Sequence, residues 1–242
     1  MALAVLSDVH GNLQALEAVL EDLGRQAVQR VLFLGDAVGY GAQPNECTAA
    51  LARLSDASVA GNHDWAALGL LDTSYFNPYA RAAIEWTARA LSPATAQTLK
   101  ALPLTRRLGQ EDILLVHATP REPQQWHYLL SLGDAQVNFR HFGERICLLG
   151  HSHVPFIIEQ PPGDEPLRLY RKEAALRKDC RYIINAGSVG QPRDGDPRAC
   201  YLLLEPQRAV LKRVPYDIQT AQQRMRREGL PEPLIQRLSQ GL

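Results

Sequence analysis

Five times along the chain a short apolar run stops at residues able to bind a metal. Ala2–Ser7 stops at Asp8-x-His10, Val31–Leu34 at Gly35-Asp36, and Ser58–Ala60 at Gly61-Asn62-His63-Asp64. Ile113–Val116 stops at His117, and Ile146–Leu149 at Gly150-His151-x-His153. Runs this short, bounded by glycine or acidic residues, read as buried β-strands rather than helices. Polar ligands at the carboxyl end of each run belong at the rim of a sheet. Five of the 7 histidines fall in these phrases. The other two, His127 and His141, read as surface or structural residues.

Between the strand-like runs the spacing turns helical. Leu13, Leu16, Val19, Leu20 and Leu23 recur at three and four residues, and a second helix is expected after Pro44. Pro78 to Leu102 reads as helical, with Ser92-Pro93 as a cap and first turn. Further strands are expected at Val154–Ile158, Arg181–Ile184, Cys200–Leu204 and Arg208–Val214. Alternating strands and helices predict a layered α/β fold. Pro161–Asp179 is polar and charged and reads as a surface loop, with a flexible lid as the alternative. Residues 217–242 read as a helical tail broken near Gly229 and Pro231, and residues 1–242 as one domain.

At 242 residues the chain is long enough to bury a full core. Its 26 basic and 26 acidic residues cancel, which gives no signal for a nucleic-acid or membrane surface. No apolar run is long enough to span a bilayer, and no basic region precedes the first one, so a cytoplasmic protein is expected. The four cysteines lack C-x-x-C spacing, and Cys147 and Cys200 read as buried thiols.

The candidate ligands mix carboxylate, amide and imidazole: Asp8, His10, Asp36, Asn62, His117, His151 and His153. Such a set suits manganese, iron, zinc, nickel or cobalt better than calcium, which prefers oxygen alone. In this order the phrases resemble the calcineurin-like metallophosphoesterase superfamily, in particular its small bacterial metallophosphoesterases and phosphodiesterases. The resemblance runs from residue 3 to about residue 205, through SDVHGNLQALEAVL, LFLGDAVGYGAQPNEC, VAGNHDWA, LLVHATPR, LLGHSHVPF and INAGSVGQPRDGDPRA.

The resemblance implies a four-layer α/β/β/α sandwich and two divalent metal ions. Manganese is the first expectation, with iron, nickel, cobalt, zinc or magnesium as alternatives. Asp8, His10 and His153 would hold one ion, Asn62, His117 and His151 the other, with Asp36 bridging. His63 would sit by the leaving-group oxygen without binding metal. Asn12 would meet substrate or brace its loop, and Asp64 would act directly or through hydrogen bonds and the helix start. The implied reaction is direct attack on phosphorus by a metal-bridging hydroxide, since no serine or cysteine is comparably placed; retention of configuration at phosphorus would refute it.

Three positions depart from the family's protein phosphatases. Tyr40 stands where an arginine follows the Gly-Asp motif, Ala60 where an arginine precedes Gly-Asn-His, and Gly39 where an acid orients the catalytic histidine. Loss of two guanidinium groups weakens the case for a dianionic monoester. Arg193 and Arg121, in shaped loops, are the candidates to replace them. The expected activity is therefore that of a phosphodiesterase or a small-molecule or nucleotide phosphatase. A protein serine/threonine or sugar phosphatase is the alternative enzyme. A non-catalytic metal-binding interaction module is the alternative class, and the retained His63 argues against it. The sequence carries no signal for oligomeric state.

Overall fold

The computed structural model describes residues 2–242. The first half contains β1 (Leu3–Leu6), α1 (Leu13–Gly24), β2 (Arg30–Phe33), α2 (Pro44–Leu54), β3 (Ala57–Ser58) and α3 (Asn62–Ala67). Next come α4 (Pro78–Ala90), α5 (Pro93–Lys100), β4 (Thr105–Leu108), β5 (Ile113–Val116) and α6 (Leu132–Asn138). Then follow β6 (Ile146–Leu149), β7 (Phe156–Gln160), β8 (Arg168–Tyr170), β9 (Glu173–Ala175), β10 (Arg181–Asn185), β11 (Ala199–Glu205) and β12 (Arg208–Val214). Two helices close the chain, α7 (Ile218–Arg227) and α8 (Glu232–Gln236).

The strands form two mixed six-stranded sheets, ordered β3-β2-β1-β11-β12-β9 and β4-β5-β6-β10-β7-β8. The metal-phrase strands β1, β2 and β3 run parallel, as do β5 and β6. Each phrase therefore emerges at the carboxyl ends of its sheet. Period-two alternation decides what packs where. In β1, Leu3 and Val5 face the other sheet and meet Leu115, Leu148, Ile184 and Leu202. Ala4 and Leu6 face outward against Leu16 and Val19 of α1 and Leu51 of α2. On the far side Phe139 and Phe142 cover Leu114, Val116, Cys147 and Ile183. The result is the α/β/β/α sandwich. Burying such leucine and isoleucine side chains contributes about 1.5–3 kcal/mol each.

The helices start where the sequence places caps. Asn12 accepts from the Ala15 amide, Asn77 from Ala80 and Ser92 from Thr95, with proline opening α4 and α5. The tail folds as α7 and α8 and packs against Tyr40 through Met225, Leu234 and Leu238. All four cysteines are buried and free.

Two expectations are corrected. The segment 161–179 is neither plain loop nor lid. Its strands β8 and β9 extend one sheet each, β8 on β7 and β9 on β12, so it ties the two sheet edges together. The strand expected at Val154–Ile158 begins at Phe156 and runs to Gln160. The turn that carries His151 and His153 delays its start.

Candidate metal centre

The loops at the strand ends converge on a buried knot of acceptor atoms. One atom each from Asp8, His10 and His153 lies within 4.8 Å of the others, and so does one each from Asp8, Asp36 and His117. The two sets share Asp8. Asp36 also stands between them, its Oδ2 3.3 Å from His117 Nε2 and 3.7 Å from His10 Nε2. The family resemblance assigns the bridging place to Asp36 alone; the geometry puts both carboxylates between the two sets.

Protons decide what this knot can bind. His10 Nδ1 lies 3.0 Å from the Val38 carbonyl, His117 Nδ1 2.8 Å from that of Leu34, and His153 Nδ1 2.6 Å from that of Gln191. A carbonyl only accepts, so each Nδ1 carries a proton and donates it. In neutral imidazoles the Nε2 lone pairs then turn inward. Nε2 of His10 and His153 face each other at 3.0 Å, with Asp8 Oδ1 3.2 Å from His153. Asp8 Oδ1 and His151 Nε2 are buried without any hydrogen-bond partner. Lone pairs and carboxylates packed together in this way call for cations, and this donor set fits two divalent ions.

The charge balance agrees. Burial raises the Asp8 pKa, but the imidazoles of His153, His10 and His117 outweigh it and hold the carboxyl well below its usual range. Asp36 behaves in the same way beside His117 and His63. Burial lowers the His117 pKa, yet Asp36 and Asp8 carry it up to about 9, so without metal a proton holds the cation's place. Burial depresses His151 to about 3, helped by His117, and His153 to about 4, helped by Arg193.

Asn62 opens α3 with its Oδ1 3.1 Å from His117 Nε2 and 3.0 Å from His151 Nδ1. Asp64 lies behind and accepts from the backbone amides of Asp36, Val38 and Gly61 at 2.9, 3.3 and 3.0 Å. Burial and the nearby Asp36 charge raise its pKa to about 7. The Asp64 carboxyl therefore fixes the loops that carry ligands. Gly61 has no alternative, because a Cβ there would collide with the Asp36 carboxylate.

His63 is buried and its Nδ1 has no partner. Rings hold it in place of an acid: Tyr40 at 4.5 Å between centroids, His10 at 4.8 Å and Phe76 at 5.2 Å. Burial lowers its pKa well below the usual imidazole value, against the opposing pull of Asp36. Asn12 does not face the knot with free groups; it donates to the Gly190 carbonyl at 2.8 Å and caps α1. Arg193 lies with its guanidinium carbon 5.5 Å from the Tyr40 ring centroid and donates to Gln191 Oε1 at 2.7 Å. Arg121 instead turns to Glu122, 3.7 Å away.

Several contributors escaped the sequence reading. Ser7 donates to Asp8 Oδ2 at 2.5 Å, and Ser188 to the Asp8 carbonyl at 2.8 Å. Arg237 from the tail is half-buried, and its pKa is lowered by burial and then by the Arg193 guanidinium. Residues Tyr75, Phe76, Trp126 and Tyr128 line a cavity beside the knot. Ser7 and Ser188 lie inside the quoted phrases SDVHGNLQALEAVL and INAGSVGQPRDGDPRA. The others lie outside every quoted phrase.

Residues 1–209 match the family model of the calcineurin-like phosphoesterase superfamily domain. An uncharacterized protein of Methanocaldococcus jannaschii, MJ0912, is 38% identical over 243 residues, covering 99% of this chain and 98% of that one. The crystal structure of a metallophosphoesterase from Sphaerobacter thermophilus is 44% identical and superposes with a TM-score of 0.87, over 100% of this chain and 99% of that one. The crystal structure of the hypothetical protein PH1004 from Pyrococcus horikoshii OT3 shares the fold at 21% identity, with a TM-score of 0.81 over 100% and 98% of the two chains.

Proposed function

Because the chain belongs to the calcineurin-like phosphoesterase superfamily and is a dinuclear-metal-dependent phosphoesterase, we propose that it hydrolyses small-molecule phosphoesters directly, diesters before monoesters, with manganese as its first-choice metal. The observation that carries the reading is the paired set of inward-facing acceptors around Asp8 and Asp36. Asp8, His10 and His153 would hold one ion and Asn62, His117 and His151 the other, with Asp36 and Asp8 between them. When bound, two divalent ions supply Lewis acidity to the phosphoryl oxygens and lower the pKa of water.

The chain's own residues do the rest. Nδ1–H bonds to backbone carbonyls keep three of the four imidazoles proposed as ligands, His10, His117 and His153, in one tautomer and orientation. His63, at the edge of the knot and neutral through burial, offers an N–H to the departing oxygen. Tyr40 fills the place of the phosphatase arginine with an uncharged ring, and Ala60 leaves the second such place empty of charge. Both features favour a monoanionic diester. One observation favours a monoester: Arg193, lying against Tyr40, could clamp a free phosphoryl oxygen. No helix is long and apolar enough to cross a membrane among the described residues.

The deciding experiment is hydrolysis of p-nitrophenyl phosphate against bis-p-nitrophenyl phosphate with Mn, Ni, Co, Zn and Mg in turn, with Asp36→Asn as control. Diester turnover that is lost in the variant is expected. A monoester preference would transfer the weight to Arg193. Absence of turnover with two ions bound would favour the non-catalytic module.

A further inference from the structure

The metal knot opens on one side into a cavity of about 500 Å³, with Asn62, His63 and His151 at its base. Its walls are aromatic: Tyr40, Tyr75, Phe76, Trp126 and Tyr128. No lysine, arginine, aspartate or glutamate lines it. Apart from Arg193, which lies against Tyr40 and outside this lining, nothing here offers a cation to a polyphosphate chain, a sugar phosphate with a second charge or an acidic peptide.

The rings are built onto the metal and catalytic residues. Tyr128 stacks on His151 at 4.1 Å and 23°. Phe76 lies 5.2 Å from His63, and Trp126 6.0 Å from His117. A planar group attached to a phosphoester at the knot would therefore meet an aromatic wall, with the exposed rings of Tyr75 and Tyr128 nearest solvent. The walls are held at some cost. Glu122 and Trp126 bracket the turn Pro123–Gln125 with φ of +50° and +54°, a left-handed backbone unusual for such side chains. Trp126 is buried against Trp65, yet its Nε1 has no hydrogen-bond partner. Asn77, Gln124 and Gln125 also line the space; the Asn77 Oδ1 is taken by the Ala80 amide, which leaves its NH2 and the two glutamine amides as polar groups suited to ring heteroatoms. At the mouth, Tyr75 is 64% and Tyr128 51% exposed, which are large apolar surfaces for a protein to leave uncovered.

We infer that this cavity binds the base of a nucleoside whose phosphoester is cleaved on the metals, so that aromatic stacking selects nucleoside esters over aliphatic ones. The inference rests on the phosphoesterase reading and adds the substrate class. Stacking of one base changes affinity by about 5- to 160-fold when its aromatic platform is removed.

The test uses the metal-loaded enzyme and three diesters of equal charge: the methyl ester of adenosine 5′-monophosphate, phenyl methyl phosphate and glycerophosphoglycerol. The adenosine ester is expected to have a KM at least about 10-fold below that of the aliphatic ester, in the range for one stacked base. In Tyr75→Ala, a substitution at an exposed ring, the ratio of the two kcat/KM values should fall. Adenosine itself, which has no phosphate, should bind in calorimetry and bind more weakly to Tyr75→Ala; this readout needs no turnover. Equal KM values for adenosine and glycerol esters would overturn the inference and leave the hydrolase reading intact. An aryl ester matching the adenosine ester would overturn the assignment to a nucleoside. Failure to cleave any ester, with adenosine still bound, would sink the phosphoesterase reading instead.

Discussion

Gly39 should be intolerant of any side chain, because His63 occupies the space a Cβ would need. A Cβ at Gly39 would lie 2.6 Å from His63 Nδ1, 3.1 Å from its Cγ and 3.2 Å from its Cβ. Ordinary contacts sit at about 3.5 Å or more, so the ring must retreat by roughly 1 Å. It has nowhere easy to go. Tyr40, His10 and Phe76 crowd its other sides, and its backbone amide is tied to Asp36 Oδ1 at 2.8 Å. A misplacement of about 1 Å costs on the order of 100-fold in rate, so Gly39→Ala is expected to lose about that much kcat. The substitution also places alanine at φ +89°, outside its preferred backbone regions. That strain costs about 1–2 kcal/mol and lowers Tm by about 2–8 °C. Gly39→Asp should fare no better, although the family's phosphatases carry an acid there, because the collision arises at Cβ. Steady-state kinetics, metal content and thermal unfolding would be measured for Gly39→Ala, His63→Ala and the double variant. The two changes should not add in kcat, since one acts through the other. Wild-type kcat in Gly39→Ala, with only the expected loss of Tm, would show that His63 is not held by this contact or does not serve the reaction.

Metal removal should destabilise the fold. An ion present at about 100 times its Kd adds about 2.7 kcal/mol per site, so chelation should lower Tm by about 5–11 °C per site, measured by thermal scans with and without EDTA. An unchanged Tm after verified loss of metal would refute the reading of the acceptor knot. Away from the site, Tyr182 donates to the buried Glu159 carboxylate at 3.0 Å and accepts from the Arg177 amide at 2.8 Å. Tyr182→Phe should cost about 1–3 kcal/mol by leaving both groups short of a partner, while kcat stays at the wild-type value.

The strands most plainly legible in the sequence are those with both faces covered, although the half-covered β12 was readable as well. Residues 113–116 and 146–149 are buried throughout and read as unbroken apolar runs. Strand β4 was missed because its pattern, Thr105-Arg106-Arg107-Leu108, is that of a half-exposed edge. The excursion through β8 and β9, one on the edge of each sheet, was missed for the same reason: edge strands borrow stability from a neighbour and need little apolar sequence of their own. Helix α6 did carry a readable start, with Ser131 and Asp134 forming a reciprocal cap. At the site, the candidate ligands stood out because few residue types bind metal, and five of them, Asp8, His10, Asp36, His117 and His153, do converge. The wall of the cavity did not stand out, because its rings sit in loops around residues 71–80 and 124–128 whose sequence resembles ordinary surface. What fixes His63 was equally hidden. A missing acid at position 39 was visible, but the ring packing that takes its place exists only in three dimensions.

Backbone conformation explains why aspartate and histidine suit these loops twice over. Among the described residues, nine non-glycine residues have positive φ, and five of them are Asp8, His10, Asp36, His151 and His153. Tyr40 and Trp126, which line the cavity, are two more, and Glu122 opens the turn that leads to Trp126. Residues i and i+2 of an extended strand share a face, but their side chains run side by side and do not converge. Left-handed turns at the strand ends gather the side chains of Asp8 and His10 inward, and likewise those of His151 and His153. Each such residue costs of order 1–3 kcal/mol, and the cost must be offset locally. Backbone bonds do so by stitching the loops together: Asp8 to Gly35 at 3.0 Å, His10 to Asp36 at 3.0 Å, and Gly190 to Asp8 at 2.9 Å. Aspartate and histidine tolerate the left-handed region better than most side chains. The residue types able to hold the ions are thus also among the few that allow the chain to turn inward.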